Sequence, residues 1–198
     1  EIVIVGKYFG TGEYQLKDSY AALFDAIDHG AWEKGVDVTT RWVDAEKIEK
    51  EGAKKIIGKP DGIIVPIGWG KRGAEGMIEA ASYARKMKIP YLGLCFGMQL
   101  ASVAFARDML GWKDANTEEN DPKSSHKVIH FIEAQKVLIK KRAYGGTMRL
   151  GGWNAIVKKG TRAWNIYNGY DGFINKATSL TSERHRHRYE FNSDYIED

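Results

Sequence analysis

The stretch Ile89-Pro-Tyr-Leu-Gly93-Leu-Cys95-Phe-Gly97-Met-Gln-Leu-Ala101 constrains the fold more than any other part of the chain. Tyr91, Leu92 and Leu94 read as a buried strand that passes straight into helical spacing. Ala101, Ala104, Phe105 and Met109 then fall on one expected helix face, closed by Gly111. Cys95 stands at the change from strand to helix. A turn that tight strains the backbone of its central residue and needs small neighbours two positions away on either side, which Gly93 and Gly97 supply. The pattern is that of a nucleophile elbow. It raises the side chain over the carboxyl edge of a sheet, above a helix N-terminus whose free N–H groups and dipole lower a thiol pKa and hold an oxyanion. A buried structural role is the commoner fate of a lone cysteine, but the paired glycines and the strand-to-helix switch favour the elbow.

Around this stretch, strands alternate with helices. Ile2-Val-Ile-Val5 before Gly6 reads as a buried parallel strand, and Asp18 is expected to cap a helix whose Tyr20, Leu23, Phe24 and Ile27 share an apolar face. Val36, Val38, Thr40 and Trp42 alternate as a second strand, residues 45–57 form a charged surface helix, and Gly62-Ile-Ile-Val65 is a third strand ending at Pro66. Pro66 to Gly70 is a turn, and residues 74–87 form a helix with Met77, Ile78 and Ala81 inward. The order implies an α/β fold with a doubly wound, mostly parallel sheet flanked by helices, whose ligand site lies beyond the carboxyl ends of the strands. After Asp121, shorter runs at 128–132 and 153–157 predict added mixed strands in the second half.

With 198 residues and 43% hydrophobic content, a single domain over 1–198 is expected. Cys95 is the sole cysteine, so no intrachain disulfide forms and a reducing, cytoplasmic compartment is expected. Glu1-Ile-Val-Ile-Val5 reads as an interior strand of a longer chain, without the features of a signal peptide. Thirty basic residues face 26 acidic ones spread along the sequence, which points to no nucleic-acid partner, and no apolar run has membrane length. No His/Cys/Asp cluster has metal-ligand spacing.

Attack by a thiolate on an acyl carbon needs an oxyanion hole, a base and groups that hold the substrate. Backbone N–H groups at Phe96 and in the Gly68 turn are candidates for the hole, since both loops follow neighbouring parallel strands; Gly68 read alone is equally an ordinary turn glycine. The base is less legible. His29 lies on a helix, His126 and His130 near a strand, and His185 and His187 within Arg184-His-Arg-His-Arg188, where His187 is the one histidine followed closely, by Glu190, in the way a Cys-His-acid relay needs. That basic run also fits an anion-binding patch, a weak signal without interleaved aromatics.

Gly93-Leu-Cys-Phe-Gly-Met-Gln99 resembles the elbow of the class I glutamine amidotransferases. Further segments resemble the carboxy-terminal glutaminase domains of the CTP synthases: Gly6-Lys-Tyr8, Asp18-Ser-Tyr20, Trp42-Val-Asp44, Gly73-Ala-Glu-Gly76, Asp114-Ala-Asn116 with Glu119, residues 145–151, and residues 183–190. The resemblance implies hydrolysis of L-glutamine to glutamate and ammonia. It also implies passage of the ammonia to an amino-terminal synthetase domain that aminates UTP with ATP and magnesium, no cofactor in this domain, and a homo-oligomeric full-length protein. By the family pattern, Cys95 is the nucleophile, Gly68 and Phe96 offer oxyanion N–H groups, and Gln99, Glu119 and Arg188 hold the amino-acid end of glutamine. The charges agree, since Glu119 can pair an ammonium and Arg188 a carboxylate.

Two departures from the pattern are visible. The family's His-Pro-Glu motif, which carries the general base, is expected beyond Tyr189 and beyond Asp198. Pro66-Ile-Gly-Trp-Gly70 stands where the family has Pro-Gly-Gly-Phe-Gly, and Ile67 is expected to restrict the dihedrals of the oxyanion loop. A catalytically impaired glutamine-binding or regulatory homologue is the competing reading.

Overall fold

The computed structural model describes residues 1–8, 10–11, 14–15, 20–132 and 149–197. The first of its two compact units comprises Glu1–Phe131 with Tyr189–Asp198, and the second comprises Ile132–Arg188.

The first unit opens with β1 (Ile2–Gly6), the short β2 (Gly10–Thr11) and β3 (Tyr14–Gln15), and helix α1 (Ala21–Lys34). It continues through β4 (Thr40–Asp44), α2 (Ala45–Glu51), α3 (Ala53–Ile57), β5 (Gly62–Val65), α4 (Ala74–Met87), β6 (Tyr91–Gly93) and α5 (Phe96–Met109). Four strands form a parallel sheet in the order β4-β1-β5-β6. Alternation along β1 divides the core: Val3 and Val5 join the apolar cluster built with α2, α4 and α5, while Ile4 joins Tyr20 and Phe24. Helices on both faces make the sheet doubly wound, as expected. Parallel strands align their carboxyl ends at one edge, where Lys7, Pro66 and Leu94 follow β1, β5 and β6. β7 (Asn116–Thr117), β8 (Lys127–Phe131) and β11 (Tyr189–Phe191) form a separate mixed sheet, β7 parallel and β11 antiparallel to β8.

In the second unit, β9 (Arg149–Ile156) pairs antiparallel with β10 (Leu180–His187) and the chain between them carries α6 (Arg162–Gly169), capped by Thr161. The Arg-His run falls on β10, so alternation exposes Arg184 and Arg186 and half-buries His185 and His187, whose ring nitrogens lie 2.7 Å apart.

Several local expectations change. Val36 and Val38 precede the second strand, which begins at Thr40. The helix expected over 45–57 breaks at Gly52, whose φ of 84° is left-handed; Glu79 then accepts from the Ala53 N–H at 2.6 Å and caps α3 from α4. The strand before the elbow is not buried, for Leu92 is 51% exposed. On α5 the buried face is Leu100, Val103, Ala104 and Ala106, while Phe105 and Met109 are exposed. The capping role read for Asp18 lies outside the described residues; the described N-cap of α1 is Tyr20, without a side-chain cap bond.

Candidate active site

Cys95 is the N-cap of α5, with φ 54° and ψ −103°. Only four non-glycine residues have positive φ among the described residues, and a side chain is held in that region only where its surroundings over-determine it. Those surroundings are specific. Leu94 N–H donates to Val65 O at 2.9 Å, Gly97 N–H to Leu94 O at 3.0 Å, and Tyr91 OH to Gly97 O at 2.8 Å. A Cβ on Gly93 would stand 2.6 Å from the Gly97 carbonyl carbon, and one on Gly97 only 1.9 Å from Val65 O. Both glycines are therefore fixed by close backbone approach, as the spacing predicts.

The thiol departs from expectation. Burial is the largest influence and raises the Cys95 pKa; a hydrogen bond from the Phe96 N–H lowers it and the Glu119 charge raises it again. Cys95 nonetheless keeps an exposed surface. The helix N-terminus acts in the direction expected, but desolvation and the carboxylate outweigh it.

The loop after β5 approaches the elbow closely. Gly68 is buried, and a Cβ there would meet Phe96 Cδ1 at 3.2 Å and Lys7 Cε at 3.1 Å. Tyr20 OH donates to Ile67 O at 3.3 Å, Tyr8 OH lies 3.3 Å from both N and O of Trp69, and Gly70 N–H donates to Glu119 Oε1 at 3.1 Å. Glu119 is presented by a turn in which Asn120 N–H donates to Thr117 Oγ1. The φ of Ile67 is not positive, so the loop carries an isoleucine without left-handed strain.

Gln99 is buried one turn into α5, and its Nε2 donates to Tyr189 O at 3.2 Å. Arg188 belongs to the second unit, and its buried Nε has no hydrogen-bond partner among the described residues. The first unit thus brings together Cys95, Phe96, Gly68, Gln99 and Glu119. Sequence reasoning missed Lys7, Tyr8, Tyr20 and Tyr91, which hold the two loops. The only signal was that Lys7, Tyr8 and Tyr20 lie in segments that carry the family resemblance.

A His–carboxylate pair does exist, His126 Nδ1 to Asp114 Oδ1 at 2.6 Å, with Trp112 stacked on the imidazole. It sits past the far end of α5, where Arg107 donates to Ala115 O. Fourteen helical residues separate that end from Cys95, a rise of about 21 Å, so this histidine does not serve the thiol. Among the described residues no group of three or more His, Cys, Asp and Glu could hold a metal ion, and no helix is long and apolar enough to cross a membrane.

The model of the family Glutamine amidotransferase class-I matches residues 15–198. The CTP synthases of Pyrococcus furiosus and Pyrococcus abyssi are 45% and 46% identical over 197 residues, covering 100% of this chain and 33% of each relative. That of Listeria innocua is 42% identical over 196 residues, covering 99% of this chain and 34% of the relative. The chain spans about a third of the length of these curated relatives. A solved structure, the glutaminase domain of Trypanosoma brucei CTPS with bound acivicin, superposes with a TM-score of 0.82 at 34% identity, covering 99% of this chain and 69% of that one. The chain belongs to the class I glutamine amidotransferase family, among the glutaminase domains of the CTP synthases.

Proposed function

We propose that this chain hydrolyses L-glutamine to glutamate and ammonia, with Cys95 as nucleophile, and supplies the ammonia to a synthetase domain of the same protein. The observation that carries the reading is the Cys95 backbone, held at φ 54° on the N-terminus of α5 with the Gly68 loop packed against Phe96. In this reading Cys95 Sγ attacks the side-chain amide carbon of glutamine, and the N–H groups of Gly68 and Phe96 take up the developing oxyanion. Ammonia leaves with a proton, and water then cleaves the thioester to glutamate. By the family pattern Gln99, Glu119 and Arg188 hold the amino-acid end of glutamine, and their charges suit Glu119 to the substrate ammonium and Arg188 to its carboxylate. The family pattern implies that a His-Pro-Glu motif carries the general base; the Asp114–His126 pair lies too far from Cys95 for that role.

In the whole protein the ammonia is proposed to aminate UTP to CTP at the expense of ATP and magnesium, both used by the synthetase domain, in a homo-oligomeric cytoplasmic enzyme. The similarity to CTP synthases over the whole of this chain supports that assignment. Cys95→Ala in the full-length protein tests the reading. Glutamine-dependent CTP formation should disappear while CTP formation from free ammonia persists, and equal loss of both would overturn it.

A further inference from the structure

We propose that Lys7 is a positioning residue for the oxyanion loop, an inference that rests on the hydrolytic reading of Cys95. Lys7 follows β1 and is only 2% exposed, a rare state for a lysine. Its Nζ donates to Gly70 O at 2.6 Å and lies 4.6 Å from the centre of the Phe96 ring. The peptide on the other side of Gly70 is held by the opposite charge, its N–H donating to Glu119 Oε1. Ammonium and carboxylate thus grip one residue of the loop from its two polar groups. The lysine is itself anchored: Arg72 Nη2 donates to Lys7 O at 2.5 Å while Arg72 Nη1 pairs with Glu46.

The arrangement is costly, and the cost argues for a role. Burial lowers the Lys7 pKa to about 8, with Glu119 and Glu49 opposing the shift and Arg72 adding to it. An apolar side chain would fill the same space without that desolvation, but could not donate to Gly70 O. Gly68, two residues earlier, packs directly on the Lys7 stem and on Phe96, so the same side chain that fixes Gly70 also sets the height of the Gly68 peptide above the elbow. An oxyanion donor works only within a few tenths of an ångström of its proper distance. Glu119 is also the proposed acceptor for the substrate ammonium, so the clamp connects substrate recognition to the loop.

The test uses the full-length protein, with Lys7→Met and Lys7→Gln, measuring glutamine-dependent and ammonia-dependent turnover, KM for glutamine, and alkylation of Cys95 by iodoacetamide. Lys7→Met should lower kcat with glutamine by about a hundredfold, the scale of losing one oxyanion donor, while KM shifts by less than about fivefold. Ammonia-dependent turnover and alkylation, which form no oxyanion at this site, should stay near wild type. Lys7→Gln, which keeps an N–H donor, should recover part of the loss. Should Lys7→Met fail to fold, Lys7→Leu, which likewise lacks a donor, carries the same comparison. Glutamine turnover near wild type, or equal loss of glutamine- and ammonia-dependent turnover, overturns the assignment. Cys95→Ala separates the two levels: if it retains glutamine-dependent turnover the hydrolytic reading fails, whereas an inactive Cys95→Ala beside an unimpaired Lys7→Met sinks only the role of Lys7.

Discussion

Gly97 lies so close to Val65 that a Cβ on it would stand 1.9 Å from the Val65 carbonyl oxygen and 2.7 Å from its carbonyl carbon. Both obstacles are backbone atoms of a central strand, and Leu94 N–H already bonds that oxygen, so neither can move cheaply. Gly97→Ala should therefore cost about 3 kcal/mol or more, the upper end of overpacking, lowering Tm by roughly 6–12 °C. Thermal unfolding measures the loss, and a Tm within about 2 °C of wild type would contradict the close approach.

The pH dependence of Cys95 has a definite sign. Burial and the Glu119 charge both raise its pKa, so the midpoint of iodoacetamide alkylation should lie above the value of about 8.5 for a free thiol. Glu119→Gln removes one raising influence and should move the midpoint down. Between the unfolded value and the raised folded value the folded chain keeps a proton that the unfolded chain has lost, so stability should fall as pH rises through that window. Cys95→Ser should flatten this fall, and a midpoint below that of a free thiol would show the helix N-terminus to prevail.

Glycine spacing made the elbow legible because its constraint is local: Gly93, Cys95 and Gly97 meet one another through a single turn. β1, β5 and α4 were legible for the related reason that their apolar runs are continuous or strongly periodic. The face of α5 was not, because Leu100, Val103, Ala104 and Ala106 are apolar as well as Phe105 and Met109, and periodicity alone cannot choose between two apolar stripes. The break at Gly52 was hidden for another reason, since its cap comes from Glu79, 26 residues beyond Ala53. The clamp on the oxyanion loop spans 63 residues from Lys7 to Gly70 and 49 from Gly70 to Glu119, so only folding brings it together.

His126 and Asp114 form the kind of pair that suits a general base, yet they lie beyond the far end of α5. His126→Ala should leave glutamine-dependent kcat and its pH profile unchanged. Its effect belongs to acid stability: the His126 hydrogen bond lowers the Asp114 pKa to about 2, so the pair stabilises the fold above the ordinary carboxylate range and loses that effect as pH falls towards 2. Acid unfolding of His126→Ala should begin at higher pH than wild type. A marked fall in kcat would instead bring the histidine into the reaction.

Ile67 offers the most direct measure of whether this loop is impaired. Its φ is not positive, it is 47% exposed, and its carbonyl accepts from Tyr20 OH, so neither strain nor a lost hydrogen bond attends the side chain. Ile67→Gly should change glutamine-dependent kcat by less than about threefold, under roughly 0.7 kcal/mol of transition-state stabilisation. The same change frees the unfolded chain and should lower stability by about 0.5–1 kcal/mol, readable in denaturant midpoints. An isoleucine that blocked the oxyanion loop would give the opposite pattern, a glycine variant turning over glutamine at least about tenfold faster. That outcome would favour an impaired, glutamine-binding homologue over a working glutaminase.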